Sequence, residues 1–125
     1  MPPATAYVND SIGTAGPAQL VLALYDGALG AIERARILLE AAPASPPASV
    51  ETVHTQLLKA QRIVAELNVT LDHDRGGDIA ANLAGLYDFC LRYLVEANLT
   101  KDPAKLPPVT DVLRGLRQAW AEACC

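Results

Sequence analysis

The sequence is poor in aromatic residues, in basic clusters and in long apolar runs. Four tyrosines, one tryptophan and one phenylalanine are its only aromatics, although 51% of its residues are hydrophobic. Alanine is plentiful instead, which suits close-packed helices better than a pleated sheet. We therefore expect an all-α fold, and 125 residues are enough for one domain with a substantial core.

Other absences exclude whole classes of partner. The formal net charge is −4, and basic residues form no cluster longer than an isolated pair. The chain therefore lacks the positive surface that nucleic acids and anionic membranes require. No apolar run could insert across a bilayer, the N-terminus has no signal-peptide pattern, and Cys90, Cys124 and Cys125 form no disulfide framework. These features predict a cytoplasmic protein with no nucleic-acid partner and no membrane insertion.

Apolar residues recur every three to four positions in four segments, which is the spacing of one helical face. The segments predict helices over about residues 17–42, 49–72, 78–98 and 107–123. Prolines interrupt the pattern between Pro43 and Ser49 and again after Thr100, and the short connections favour an antiparallel four-helix bundle. Residues 1–16 are predicted to form a mobile N-terminal arm of one helical-bundle domain spanning 1–125.

The stretch from Leu71 to Leu83, LDHDRGGDIAANL, concentrates polar residues that a metal or phosphate site could use. A calcium loop would need further oxygen ligands where the sequence turns apolar, and a phosphate loop would need a preceding strand and a Gly-Lys-Ser/Thr ending. A turn between helices fits better. Gly76 and Gly77 would supply positive-φ conformations, and Asp78 would place a negative charge in the first turn of the third helix.

The two histidines offer little catalytic chemistry. Glu51-x-x-His54 is half of a di-iron signature, but the second half is absent. His54 with a nearby lysine could also indicate a histidine phosphotransfer module, although Lys59 lies five residues on and off the His54 face. We keep that signalling module as the alternative function, beside an unspecialised helical scaffold. No residue has the context of an activated nucleophile, so we predict a non-enzyme without metal or cofactor.

Longer strings carry a family resemblance. They are TAGPAQLVLALYDGAL at the start of the first helix, IVAELNVTLDHDRGGDIAANLAGLYDF across the turn, and VLRGLRQAW in the last helix. In this order they resemble the flagellin-specific export chaperones of bacterial flagellar assembly, the FliS family. Three features depart from the family pattern: Gly16 replaces a usual serine, the loop from Pro43 to Ser49 is rich in proline and alanine, and the tail ends in Cys124 and Cys125.

The resemblance implies a cytoplasmic chaperone that binds the disordered C-terminal segment of flagellin and prevents its premature polymerisation. It would keep flagellin competent for type III export and would meet the flagellar export apparatus, without a cofactor. The N-terminal segment, with Tyr7 and Ile12, is expected to act as a displaceable lid. The oligomeric state, a homodimer included, is left open.

For the flagellin-binding groove we predict the seam between the second and third helices. Surplus apolar surface on a helical bundle can accept a partner helix or an extended chain. The predicted lining comprises six apolar side chains and one amide that could bond the client backbone: Ile63, Leu67, Leu71, Ile79, Asn82, Leu83 and Leu86.

Overall fold

The computed structural model describes residues 16–41 and 48–124. It contains four α-helices and a 3-10 turn, and neither described range contains a strand. The predicted all-α class with four helices is confirmed, while the predicted N-terminal arm lies outside the described residues. The elements are α1 Pro17–Glu40, α2 Ala48–Val69, α3 His73–Thr100, the 3-10 turn Pro103–Lys105 and α4 Leu106–Cys124.

The first two helices run antiparallel. Arg34, in the last part of α1, donates from Nε to Oε1 of Gln56 in the first part of α2, at 2.9 Å. Earlier in α1, Gly27 lies against Ile63 of α2, because a Cβ added at Gly27 would stand 3.2 Å from Ile63 Cδ1. Residue numbers therefore rise along α1 as they fall along α2.

The last helix also runs antiparallel to α1. Arg117 of α4 pairs with Asp26 of α1, and one turn on, the indole Nε1 of Trp120 donates to the backbone oxygen of Ala18 at 2.7 Å. Since α2 packs on α3 and α3 on α4 as well, the four helices form an up-down-up-down bundle.

A single glycine divides the beginning of α3. The carboxylate of Asp72 accepts a hydrogen bond from the backbone N–H of Arg75 at 3.0 Å, which winds the next residues into a helical turn. Gly77 then has φ 49° and ψ −123°, a conformation that residues with a side chain rarely adopt, before the regular helix resumes. The sequence predicted positive φ at Gly76 as well, but the Asp72 cap makes that residue part of the turn.

The core is built mainly from aliphatic side chains. Completely buried alanines on α1, α2 and α3 let neighbouring backbones approach closely, and larger buried side chains fill the space between them. The largest fully buried residues come from all four helices: Ile32, Leu57, Val64, Cys90, Leu94, Leu106, Val109 and Leu113.

The two ends of the bundle are built differently. At the closed end, where α1 and α3 finish, the 3-10 turn Pro103–Lys105 contacts α1, α3 and α4, and Leu106 directly after it is completely buried. At the open end, where α1 and α3 begin and α2 and α4 finish, no comparable turn covers the core within the described residues. The candidate site lies at this open end.

Candidate functional site

An apolar groove of about 440 Å³ opens at this end of the bundle. All four helices contribute to it, and its lining is mostly apolar, with aromatic side chains among the aliphatic ones. We call it the end groove and define it by six of its apolar side chains: Val21, Leu71, Ile79, Leu83, Leu116 and Trp120. A pocket of this size and character suits apolar side chains of a ligand better than a charged small molecule.

Two phenols lie in the end groove, whose other polar lining residues are Thr70 and Asp72. The hydroxyls of Tyr25 and Tyr87 lie 2.6 Å apart and share a hydrogen bond across the bundle diagonal, from α1 to α3. Both side chains are buried and line the groove. Burial raises the pKa of each phenol above its ordinary value, so both hydroxyls keep their hydrogens at neutral pH.

One wall of the end groove is held by contacts between α1 and α4. The hydrogen bond from Trp120 to the Ala18 oxygen fixes the indole at the groove rim. The ion pair between Arg117 and Asp26 joins the same two helices on the exposed side. The rim is therefore shaped by the first turns of α1 and the last turns of α4, at the point where the described chain begins.

Four of the seven predicted groove residues lie together in this site. Leu67, Leu71, Ile79 and Leu83 all line the end groove. Leu67 is buried and belongs to the core, whereas Ile79 leaves 72% of its surface exposed. These residues connect the end of α2 with the beginning of α3, so they occupy one end of the predicted seam.

The other three predicted residues point elsewhere. Ile63 faces α1, where it meets Gly27. Asn82 and Leu86 share a face of α3 with Phe89 and Tyr93, because residues four, seven and eleven apart on a helix lie on one side. The Tyr93 ring has the Lys105 ammonium, just before α4, 5.8 Å from its centroid. Asn82 and Leu86 themselves are exposed, and neither lines the end groove.

The α2–α3 seam has a second cleft near the closed end, formed by His54, Leu58, Val95 and Leu99 among others. We call it the seam cleft. Its floor is closed by polar contacts: His54 Nδ1 lies 3.2 Å from Oδ1 of the buried Asn98.

The same Asn98 oxygen accepts from Lys101 Nζ at 2.7 Å. His54 thus belongs to a structural hydrogen-bond cluster that joins the two helices. Among residues 16–41 and 48–124, no three His, Cys, Asp or Glu side chains gather as they would to hold a metal.

The sequence reasoning missed the contributions of α1 and α4. Tyr25, Tyr87, Leu116 and Trp120 line the end groove, yet none of them was predicted as a site residue. One signal was present: the tripeptide Leu-Tyr-Asp occurs at residues 24–26 and again at residues 86–88. A tyrosine within each apolar stripe indicates two hydroxyls that must find a partner inside the bundle.

Comparison with known proteins decides the family. A family model described as flagellar protein FliS matches residues 1–125. The flagellar secretion chaperone FliS of Bacillus subtilis is 36% identical over 97% of this chain and 85% of its own length. The chain belongs to the FliS family. Other FliS relatives include the flagellar secretion chaperones of Salmonella typhimurium, 36% identical over 92% of this chain and 82% of their own, and of Vibrio cholerae, 34% identical over 90% and 79%.

Membership of the FliS family confirms the resemblance seen in the sequence and supports an export-chaperone role. The relatives are named as chaperones, and the match tells against the histidine phosphotransfer alternative centred on His54. Within the part of the chain that the structure describes, no helix combines the length and hydrophobicity needed to cross a membrane.

Proposed function

We propose that this protein is a cytoplasmic export chaperone that binds the C-terminal segment of flagellin in the end groove. By covering apolar faces of that segment, it prevents premature polymerisation and keeps flagellin competent for type III export. The complex then meets the flagellar export apparatus. Binding of this kind proceeds without a cofactor, a metal or an enzymatic step.

The observation that carries the proposal is an open, mostly apolar groove at the end of the bundle that no turn covers within the described residues. Grooves of this kind accept the apolar face of an amphipathic helix, whose anchor side chains recur every three to four residues. Burying one leucine-sized anchor contributes about 1.5–3 kcal/mol. Family membership adds the expectation that the ligand is a flagellar protein.

We further propose that the N-terminal segment acts as a lid on the same groove, with Tyr7 and Ile12 as its anchors. Both residues lie outside the described part of the chain. The proposal is supported by the position of Ala18, whose oxygen accepts the Trp120 bond at the groove rim. Removal of residues 1–15 would delete an intramolecular competitor, so we expect tighter client binding by the truncated protein. Equal or weaker binding would refute the lid.

Isothermal titration with a synthetic flagellin C-terminal peptide tests the main proposal. We expect one-to-one binding with a negative heat-capacity change, the signature of apolar burial. Substituting the apolar face of the peptide with serine should abolish binding.

On the protein side, Ile79→Glu should weaken binding at least tenfold, because it places a charge in the groove at a largely exposed position that tolerates it structurally. Ile37→Glu is the matched control, since Ile37 is also an exposed isoleucine (54%) but lies outside the groove lining. Failure of the wild-type protein to bind the peptide, or equal effects of the two substitutions, would refute the assignment of the groove.

A further inference from the structure

Among the described residues, the Tyr25–Tyr87 pair leaves one hydroxyl hydrogen without an acceptor. A phenol carries one hydrogen to donate and two lone pairs to accept with. The two hydroxyls are joined by one bond, at 2.6 Å, which uses one hydrogen. No other described residue accepts a hydrogen bond from either oxygen. The second hydrogen therefore points away from the pair, within side chains that are each only 3% exposed.

Because the pair is buried, leaving this hydrogen without an acceptor costs free energy. Both phenols stay protonated at neutral pH because desolvation raises the pKa of each one. The pair lies within the mostly apolar lining of the end groove, and its two other polar lining residues, Thr70 and Asp72, bond backbone groups of Leu67 and Arg75 instead. An occupant that is apolar throughout would therefore bring no acceptor to this hydrogen. A buried donor without an acceptor is more costly than a missing apolar contact of similar size. An occupant with an acceptor at this position would instead complete the pair.

We propose that the spare hydroxyl hydrogen of the Tyr25–Tyr87 pair donates to a carbonyl oxygen of the bound client, and so selects clients that carry one acceptor within their apolar face. The inference rests on the proposed function of the end groove and adds its selectivity. The acceptor comes either from a side chain, as in asparagine or glutamine, or from a backbone carbonyl in the last turn of a client helix, where carbonyls lack intrahelical partners.

The test is a comparison of phenylalanine variants by titration with the flagellin C-terminal peptide. Either hydroxyl alone can still donate to the client, so Tyr25→Phe and Tyr87→Phe should each change Kd by less than about threefold. The double variant removes both donors and should raise Kd by about 10- to 100-fold. Tyr93→Phe is the control, because Tyr93 lies outside the groove lining and its phenol should leave Kd unchanged.

Changes in the peptide identify the source of the acceptor. Each polar residue in the peptide is replaced in turn by an apolar residue of similar shape, Asn by Leu or Gln by Met. A replacement that weakens binding to the wild-type protein tenfold, yet has no effect on the double variant, identifies a side-chain acceptor. If the double variant loses affinity and no replacement reproduces the loss, the acceptor is a backbone carbonyl. Both results support the inference.

Other outcomes overturn it. Folded Tyr25→Phe/Tyr87→Phe protein that binds the peptide as tightly as the wild type would refute the selectivity while leaving the groove assignment intact. No binding by the wild-type protein would refute the proposed function and this inference together. Should the double variant fail to fold, the peptide series against the wild-type protein and the two single variants decides. Retained affinity for a peptide whose polar side chains are all replaced and whose last helical turn is removed would then refute the inference.

Discussion

Buried polar side chains are hydrogen-bonded differently at the two ends of this bundle. At the closed end, the amide oxygen of Asn98 bonds both His54 and Lys101, and the turn Pro103–Lys105 covers the core. At the open end, Tyr25 and Tyr87 bond only each other among the described residues, beneath a mostly apolar groove. An end that is covered and bonded across helices contributes stability, whereas an uncovered apolar end is suited to binding a partner.

The largest expected loss of stability comes from truncating the side chain that covers the core at the closed end. Leu106 is completely buried, so Leu106→Ala should lower the free energy of unfolding by about 2–5 kcal/mol, measured by urea denaturation. Ile79→Ala at the open end should change it by less than about 0.5 kcal/mol, because the side chain is mostly exposed. Similar losses at both ends would contradict the division into a closed and an open end.

A smaller loss of stability is expected when the hydrogen bonds of Asn98 to His54 and Lys101 are removed. Asn98→Ala removes the shared acceptor of His54 and Lys101 and should cost about 1–3 kcal/mol in thermal or urea unfolding. Asn82→Ala is the control, since this amide lies exposed on the same helix. The affinity of folded Asn98→Ala protein for the flagellin peptide should not change. A large loss of affinity would show that the seam cleft takes part in binding.

The smallest expected changes in stability come from substituting two glycines of α3, and these two changes should have opposite signs. Gly77→Ala should destabilise the protein by about 1–2 kcal/mol, because φ is 49° there and a Cβ would meet no other atom within 4 Å, so the cost is one of backbone strain. Gly85 also has open space around it but lies within α3 without positive φ. Gly85→Ala should therefore stabilise the protein by about 0.5–1 kcal/mol. Stabilisation of the protein by Gly77→Ala in urea unfolding would refute the strain at that residue.

The sequence was most informative about the number and order of the helices, and least informative about which face of each helix meets which neighbour. Apolar spacing predicted four helices in the correct order, because each helix must bury one continuous face. It could not predict which flank of α3 faces which neighbour. Leu83 and Leu86 are three residues apart and appeared equivalent, yet Leu83 lines the end groove whereas Leu86 lies outside it and is exposed.

Local chemistry explains why the beginning of α3 differs from its prediction. The paired glycines correctly indicated a turn. The side chain of the aspartate before them, however, caps the same residues and favours helical geometry there. Asp72 bonds the N–H of Arg75 and draws the following residues into helical geometry, so only Gly77 keeps an unusual conformation. The Tyr25–Tyr87 bond was beyond prediction because its partners are 62 residues apart on diagonal helices.

The position of Trp120 gives the protein an optical property. Its indole is 37% exposed at the rim of the end groove, and it is the only tryptophan in the chain. A ligand that enters the groove would displace water from the ring and shift its emission toward shorter wavelengths. Because flagellin peptides without tryptophan are dark at these wavelengths, the intrinsic fluorescence of the unlabelled protein reports directly whether the groove is filled.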